Sequence, residues 1–168
     1  MKLLTLCAFF VLTAFLLSGC LVNKDPVSAS NDETNSPYLR MNEVKGRIIR
    51  HFHKNFPSVE NERWLHDESS RYVAIFRENK IPERVIYDRF GYFICLVRIY
   101  GPTDLNEDLK SHIHAIYKDS KIIAVTEVSD LVNQGFYVKI QISEAIKTVY
   151  CQDGRLEETE SIPYEASS

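Results

Sequence analysis

Two histidine pairs, His51-x-His53 and His112-x-His114, are by residue type the best candidates for holding a metal ion. Each falls in a segment with helical spacing. On a helix, residues two apart point about 200° away from each other, so neither pair alone can grip one ion. Further ligands would be needed that the spacing does not supply, and neither metal nor cofactor is expected. Asp88-x-x-Gly91 and Asp153-Gly154 have the residue types of tight turns, where aspartate bonds nearby backbone and glycine supplies positive φ. A calcium loop would need several more oxygen ligands at close spacing. For covalent chemistry, no serine sits in a Gly-x-Ser-x-Gly turn, and Cys95 and Cys151 have no recognisable base nearby. Glu157, Glu158 and Glu160 read as a solvated strand face. An enzyme is not expected.

Cys20 is the cysteine with a chemical assignment. Lys2 is followed by an apolar run from Leu3 to Leu17 and then by Ser18-Gly19-Cys20, the layout of an exported precursor. Leu17-Ser18-Gly19-Cys20 resembles the lipobox of bacterial lipoproteins. That resemblance implies a diacylglyceryl group on the Cys20 thiol and cleavage before it. Acyl chains add about 0.8 kcal/mol of membrane affinity per buried methylene, so two or three give a stable anchor. Leu21 follows in place of aspartate, which by the same resemblance implies the outer rather than the inner membrane. The competing reading is an uncleaved anchor, since Leu3 to Val22 is about twenty residues, enough to span a bilayer. No basic cluster follows the run to support it.

Removing residues 1–19 leaves 149 of the 168 residues and moves the formal charge from −3 to −4, because Lys2 is the charge lost. Basic residues are scattered among acids, which argues against nucleic acid as a partner. Residues 20–41 carry the lipid cysteine and a stretch rich in Ser, Asn, Asp and Pro with almost nothing to bury, a flexible tether by composition. Cys95 and Cys151 remain outside the signal. A bridge between them is permitted in an exported protein, and two buried thiols acting as small hydrophobes are the favoured alternative.

Two segments then read alike, residues 42–100 and residues 101–168, the second with a short tail. In the first, Asn42 is a plausible N-cap, and Val44, Ile48, Ile49 and Phe52 recur at helical spacing. Short β signals follow at 59–66, 71–77, 84–87 and 92–100. In the second, Asp104 and Glu107 read as a capping box, and Leu109, Ile113, Ile116 and Tyr117 as the apolar stripe. Strands are expected at 122–128, 136–142, 146–151 and 155–160. Val44, Ile48 and Phe52 align with Leu109, Ile113 and Tyr117 at a near-constant period, which suggests a duplication.

Phe52-His53-Lys54-Asn55-Phe56-Pro57, followed by Val59 and Trp64, then Tyr72-x-Ala74-x-Phe76 and Tyr87-Asp88-x-x-Gly91, resembles PepSY-like domains whose fold is likened to β-lactamase inhibitor protein. Leu105, Leu109, Ile113 and Tyr117 before Val125-Thr126-Glu127-Val128 resemble that family's second half, with Asn106 where the family has proline. The resemblance covers about residues 42 to 160. It implies an α+β fold: two tandem repeats of one helix plus a four-stranded antiparallel sheet, helices on one sheet face and the other face open.

Alternation places Phe136, Val138, Ile140 and Ile142 toward the helices. By alignment, Tyr72, Ala74 and Phe76 do the same. Val73, Ile75, Tyr92, Ile94, Leu96, Tyr137 and Lys139 are then the candidate partner-binding residues on the open face. Such a face reads as a docking surface, unless the linker, the C-terminal tail or a neighbouring copy covers it. The expected function is a lipid-anchored, non-enzymatic envelope protein that binds another envelope protein, one version being inhibition of an exported hydrolase. The alternative is a structural or assembly subunit of an outer-membrane complex.

Overall fold

The computed structural model describes residues 36–164. The signal segment, Cys20 and the linker up to residue 35 lie outside the described residues.

Helix α1 spans Gly46–Asn55 and buries Ile48 and Phe52, four apart and therefore on one face. It starts later than Asn42 suggests, because Met41–Glu43 forms a separate 3-10 turn. Helix α2 spans Glu107–Ile116. Its N-cap is Asn106, whose side-chain oxygen accepts the Asp108 N–H at 2.7 Å. Asp104 is therefore not the cap. It ends a 3-10 turn, Pro102–Asp104, that opens on proline.

Among the described residues there are eight strands: β1 (Arg63–His66), β2 (Tyr72–Glu78), β3 (Ile81–Tyr87), β4 (Phe93–Tyr100), β5 (Lys121–Ser129), β6 (Gln134–Gln141), β7 (Ala145–Gln152) and β8 (Arg155–Pro163). They form one antiparallel sheet in chain order, β1 to β8. This corrects the expected fold class. The described residues form a single eight-stranded sheet with two short helices, not two repeats of a helix and a four-stranded sheet. The β4–β5 pairing makes the difference, running from Leu96↔Ser129 to Tyr100↔Val125. Without it, β4 would leave a row of unpaired backbone groups at a sheet edge.

The helix side of the sheet holds two apolar clusters. Around α1 lie Ile48, Phe52, Trp64, Tyr72, Ala74, Phe76, Val85 and Tyr87. Around α2 lie Leu105, Ile113, Ile122, Val125, Val138, Ile140, Val149 and Cys151. Register explains why these side chains share a face: Trp64, Ala74 and Val85 form one cross-strand row, and Val125, Val138 and Val149 another. Gly91 sets how closely α1 sits on the β3–β4 turn. Its φ is +88°, and a Cβ there would lie 2.6 Å from Arg47 Nε and 2.8 Å from Ile48 Cγ1.

Between the two clusters runs a polar row, Glu83↔Arg98↔Glu127, on β3, β4 and β5. Arg98 Nε lies 3.1 Å from Glu83 Oε1, and Arg98 Nη1 lies 3.6 Å from Glu127 Oε1. Tyr100 and Gln134 donate to the two oxygens of Glu127 at 3.0 and 2.8 Å. Both glutamates are buried, and Glu83 Oε2 has no hydrogen-bond partner. Burial raises the Glu83 pKa above the ordinary carboxylate value, against the pull of Arg98.

Among the described residues, Cys95 and Cys151 are both buried and are not bridged to each other. They lie on opposite faces of the sheet, in different clusters and on strands that are not neighbours. A bridge between them is geometrically excluded.

Candidate binding face

The face turned away from the helices carries the third apolar cluster. Val73, Ile86, Cys95, Val97 and Val128 are its buried members, with Leu65, Ile75, Ile94, Ile99 and Tyr137 packed around them. Among the described residues, no helix residue belongs to it. Its rows run across the sheet. Leu65, Val73, Ile86 and Cys95 align over β1 to β4. Ile99, Thr126, Tyr137 and Tyr150 align over β4 to β7. The apolar centre therefore spans the β4–β5 junction, and only the continuous sheet assembles it.

Toward β7 the face becomes aromatic and polar. The Tyr137 and Tyr150 rings lie 4.7 Å apart, tilted by 36°. Tyr150 lies across Gly135, where a Cβ would come within 2.5 Å of its hydroxyl. The glycine thus makes room for the ring pair. Lys139 stands on the same face, opposite Thr148. Toward β1 the face becomes basic, with Arg63, Ile75 and Arg84 in one row.

The seven candidate residues divide. Val73, Ile75, Ile94 and Tyr137 join the third cluster, and Lys139 lies beside it by register. Leu96 does not: it packs against the α1 cluster on the helix side. Tyr92 does not either. It sits in the β3–β4 turn, 66% exposed, with the Arg47 guanidinium 4.6 Å from its ring centroid. The cause is a bulge. Ile86 pairs with Cys95 and Tyr87 with Phe93, so Ile94 has no partner and the alternation resets. Beyond it Cys95, Val97 and Ile99 face away from the helices. The sequence reading missed these three together with Ile86 and Val128. The apolar character of β4 on both sides was the available signal, but pairing register was not.

The other residues with chemical potential are placed as follows. His51 Nδ1 is 3.0 Å from the Tyr87 hydroxyl, and His53 Nε2 is 3.3 Å from Glu62 Oε1. His114 Nδ1 is 3.4 Å from the Ser120 hydroxyl. His112 lines a cleft of about 350 Å³ beside α2, together with Asp108, Cys151 and Arg155. Burial pushes the Cys151 thiol up to about 12, so it stays protonated at neutral pH and is a poor nucleophile. Asp88 Oδ1 accepts the N–H groups of Phe90 and Tyr92 at 2.9 and 2.8 Å. The Asp88 motif is thus a turn cap. Asp130 caps the β5–β6 turn in the same way, accepting from Val132 and Asn133. Those backbone bonds hold its carboxyl below the ordinary range against the opposing effect of burial. Leu131 and Val132 at that turn are 81% and 87% exposed, an apolar tip the sequence reading passed over.

No family model matches the chain, and no curated protein matches it. Solved structures do. A BLIP-like protein from Bacteroides fragilis is 14% identical, with 74% of this chain and 90% of that chain aligned and a TM-score of 0.60. A DUF2874 family protein from Bacteroides uniformis is 17% identical over 71% of this chain and 89% of that one, with a TM-score of 0.59. A protein from Bacteroides eggerthii whose name places it provisionally in the periplasm is 14% identical over 71% and 88%, with a TM-score of 0.57. At these identities the likeness shows the fold alone, and that fold is BLIP-like.

Proposed function

We propose that the chain is a lipid-anchored, non-enzymatic module of the cell envelope that binds another envelope protein through the sheet face opposite its helices. One observation carries the reading: the third apolar cluster, formed among the described residues without any contribution from a helix, whose outer members Leu65, Ile75, Ile94, Ile99 and Tyr137 are only partly buried. Those partly buried apolar side chains, with polar residues around them, are the surface of this face that a partner would cover. The basic row at β1–β3 and the tyrosine pair at β6–β7 supply the polar rim. The names of the BLIP-like and provisionally periplasmic structural neighbours are consistent with an exported binding protein. Inhibition of an exported hydrolase is the narrower version of this proposal.

Anchoring rests on Leu17-Ser18-Gly19-Cys20. Cys20→Ala should move the protein from the membrane pellet to the soluble or unprocessed fraction, and mass spectrometry of the wild-type N-terminal peptide should show the acyl mass. Wild-type protein without that mass would sink the anchor while leaving the binding face untouched.

Binding is tested at the centre of the face. Ile99 and Lys139 lie on it away from the basic row, and both are only half-buried. An Ile99→Asp, Lys139→Glu chain, shown to fold by circular dichroism, should lose at least tenfold in affinity for a protein that the wild type captures from envelopes. Equal capture by both chains would move the site off this face.

A further inference from the structure

At one end of the sheet the chain holds apolar side chains out into solvent. Because the strands alternate in direction, the β3–β4 and β5–β6 turns are neighbours at that end. Extending the pairing beyond Leu96↔Ser129 brings Leu131 and Val132 level with Ile94 and Phe93, beside Tyr92. Leu131 and Val132 are the most exposed large apolar side chains among the described residues, and Phe90 and Tyr92 on the neighbouring turn are 52% and 66% exposed. Neither turn is slack. Asp88 and Asp130 each accept two backbone N–H groups of their own turn, which fixes the two tips outward.

Cations stand beside these apolar groups. Arg47 Cζ lies 4.6 Å from the centroid of the Tyr92 ring, and Arg89 Cζ lies 4.7 Å from that of Phe90. Lys45 Nζ donates to the Arg89 carbonyl at 2.6 Å and so holds the turn against the start of α1. Among the described residues, none of these three cations forms an ion pair. The acids of the two turns, Asp88 and Asp130, are engaged by backbone N–H groups. The exposed acids Glu68 and Asp153 belong to the outer turns, about 10 Å further out by strand spacing.

We infer that this end of the sheet is a membrane-contact site for a bilayer bearing anionic headgroups. Phe90, Tyr92, Leu131 and Val132 enter the acyl boundary, and Arg47, Arg89 and Lys45 meet the headgroup phosphates. Aromatic rings with a charged group along one side suit a lipid interface, where the ring is buried and the cation stays wet. The shape favours lipid over a protein pocket. The apolar groups are spread over two projecting turns about 10 Å apart, and a fluid bilayer receives such an end without a matching cleft. The chain outside the described residues points the same way. Residues 21–35 span at most about 50 Å when fully extended, so an acylated Cys20 would keep the domain beside the bilayer, where a weak contact is well populated. The strands then stand on the membrane, and the open face is turned sideways toward its partner. This contact goes beyond the proposed binding role of that face and is separable from the anchor.

The test is co-sedimentation of the whole exported chain, residues 20–168 with Cys20→Ser so that no acyl chain is attached, with lipid vesicles. The vesicles are phosphatidylcholine with roughly a quarter phosphatidylglycerol. This chain should sediment with them, and added salt should weaken its binding. Leu131→Ser, Val132→Ser in the same background should lower the partition coefficient by about tenfold. Those two side chains are 81% and 87% exposed, so the fold should survive, which circular dichroism checks. Arg47→Gln, Arg89→Gln, also exposed, should lose binding to these vesicles as well. Failure of the parent chain to sediment overturns the contact, and so does equal sedimentation of parent and Leu131→Ser, Val132→Ser. A tip variant that keeps the vesicles but loses a captured envelope protein would give the tips to that protein and overturn the lipid. Ile99→Asp, Lys139→Glu should sediment like the parent; its loss from the vesicles would move the lipid contact to the open face and overturn the tips. Since no acyl chain is present, wild-type protein found without lipid on Cys20 would sink the anchor and leave this result standing.

Discussion

Arg98→Met is expected to destabilise the protein by about 3 kcal/mol at pH 7 and by clearly less at pH 5. Arg98 is the one cation in the row Glu83↔Arg98↔Glu127, and it reaches both carboxylates. Removing one partner of a buried ion pair costs about 3–5 kcal/mol because the remaining charge is left uncompensated. The lower end applies here, since the Arg98 side chain keeps 35% of its exposure and water screens part of the interaction. The pH dependence follows from the direction of the shift. The folded-state pKa of Glu83 already lies above its ordinary value through burial. Losing Arg98 removes the largest effect opposing that rise and raises it further. A raised folded pKa means the folded state holds its proton more tightly than the unfolded chain. The associated stability is fully present below the unfolded value and is lost as pH rises through the folded one. The deficit of the variant should therefore open between the ordinary carboxylate range and neutrality. Urea unfolding of both chains at pH 5 and pH 7 measures it. A deficit below about 1 kcal/mol, or one equal at the two pH values, would mean that the row is solvated in solution.

That row also shows where sequence reading reaches and where it stops. Glu83, Arg98 and Glu127 are far apart in the chain and look like ordinary surface charges of three strands. Only strand order brings them into line. Alternation worked where a strand is regular: Phe136, Val138 and Ile140 show the helix-facing set plainly, because Tyr137, Lys139 and Gln141 are polar or amphipathic. It failed at β4, where Phe93 to Ile99 is apolar on both sides and a single unpaired residue, Ile94, resets the parity. Leu96 went to the wrong face for that reason. The helix starts were misjudged for a related one. Asn42 and Asp104 have the residue types of caps, but each lies next to or within a 3-10 turn that delays the helix by several residues.

The fold class was misread at a different level. Each half of the chain shows one helix signal and four strand signals, and a pattern read within halves cannot report a pairing between them. The β4–β5 contact adds no motif, no spacing and no special residue: Val97↔Val128 and Ile99↔Thr126 are ordinary β residues. Yet that contact decides the candidate site, since Val97 and Val128 lie side by side at the centre of the third cluster. The basic end of the face was hidden for the same reason. Arg63 and Arg84 are scattered in sequence, and the cross-strand row collects them.

Continuity of the sheet has a mechanical consequence that Phe52→Ala exposes. Phe52 is fully buried, and its ring meets those of Phe56, Trp64 and Phe76 at centroid distances of 5.2, 5.3 and 5.2 Å. Truncation removes the ring that ties α1 to β1 and β2 and leaves a cavity among aromatic rings too rigid to close it. The expected cost is about 3–5 kcal/mol. The loss lies wholly in the α1 cluster, but the sheet joins that cluster to the α2 cluster through β4–β5, the polar row and the third cluster behind it. Unfolding of the α1 side would strip β5 of its neighbour and lay Val128 bare. The whole domain should therefore melt as one unit, with Trp64 fluorescence and the far-ultraviolet signal of the sheet shifting to the same lower urea midpoint and an unchanged slope. If Trp64 reports an early transition while most of the sheet signal persists to the wild-type midpoint, the halves fold separately. The open face would then be a junction between two units, and its apolar centre would depend on their association.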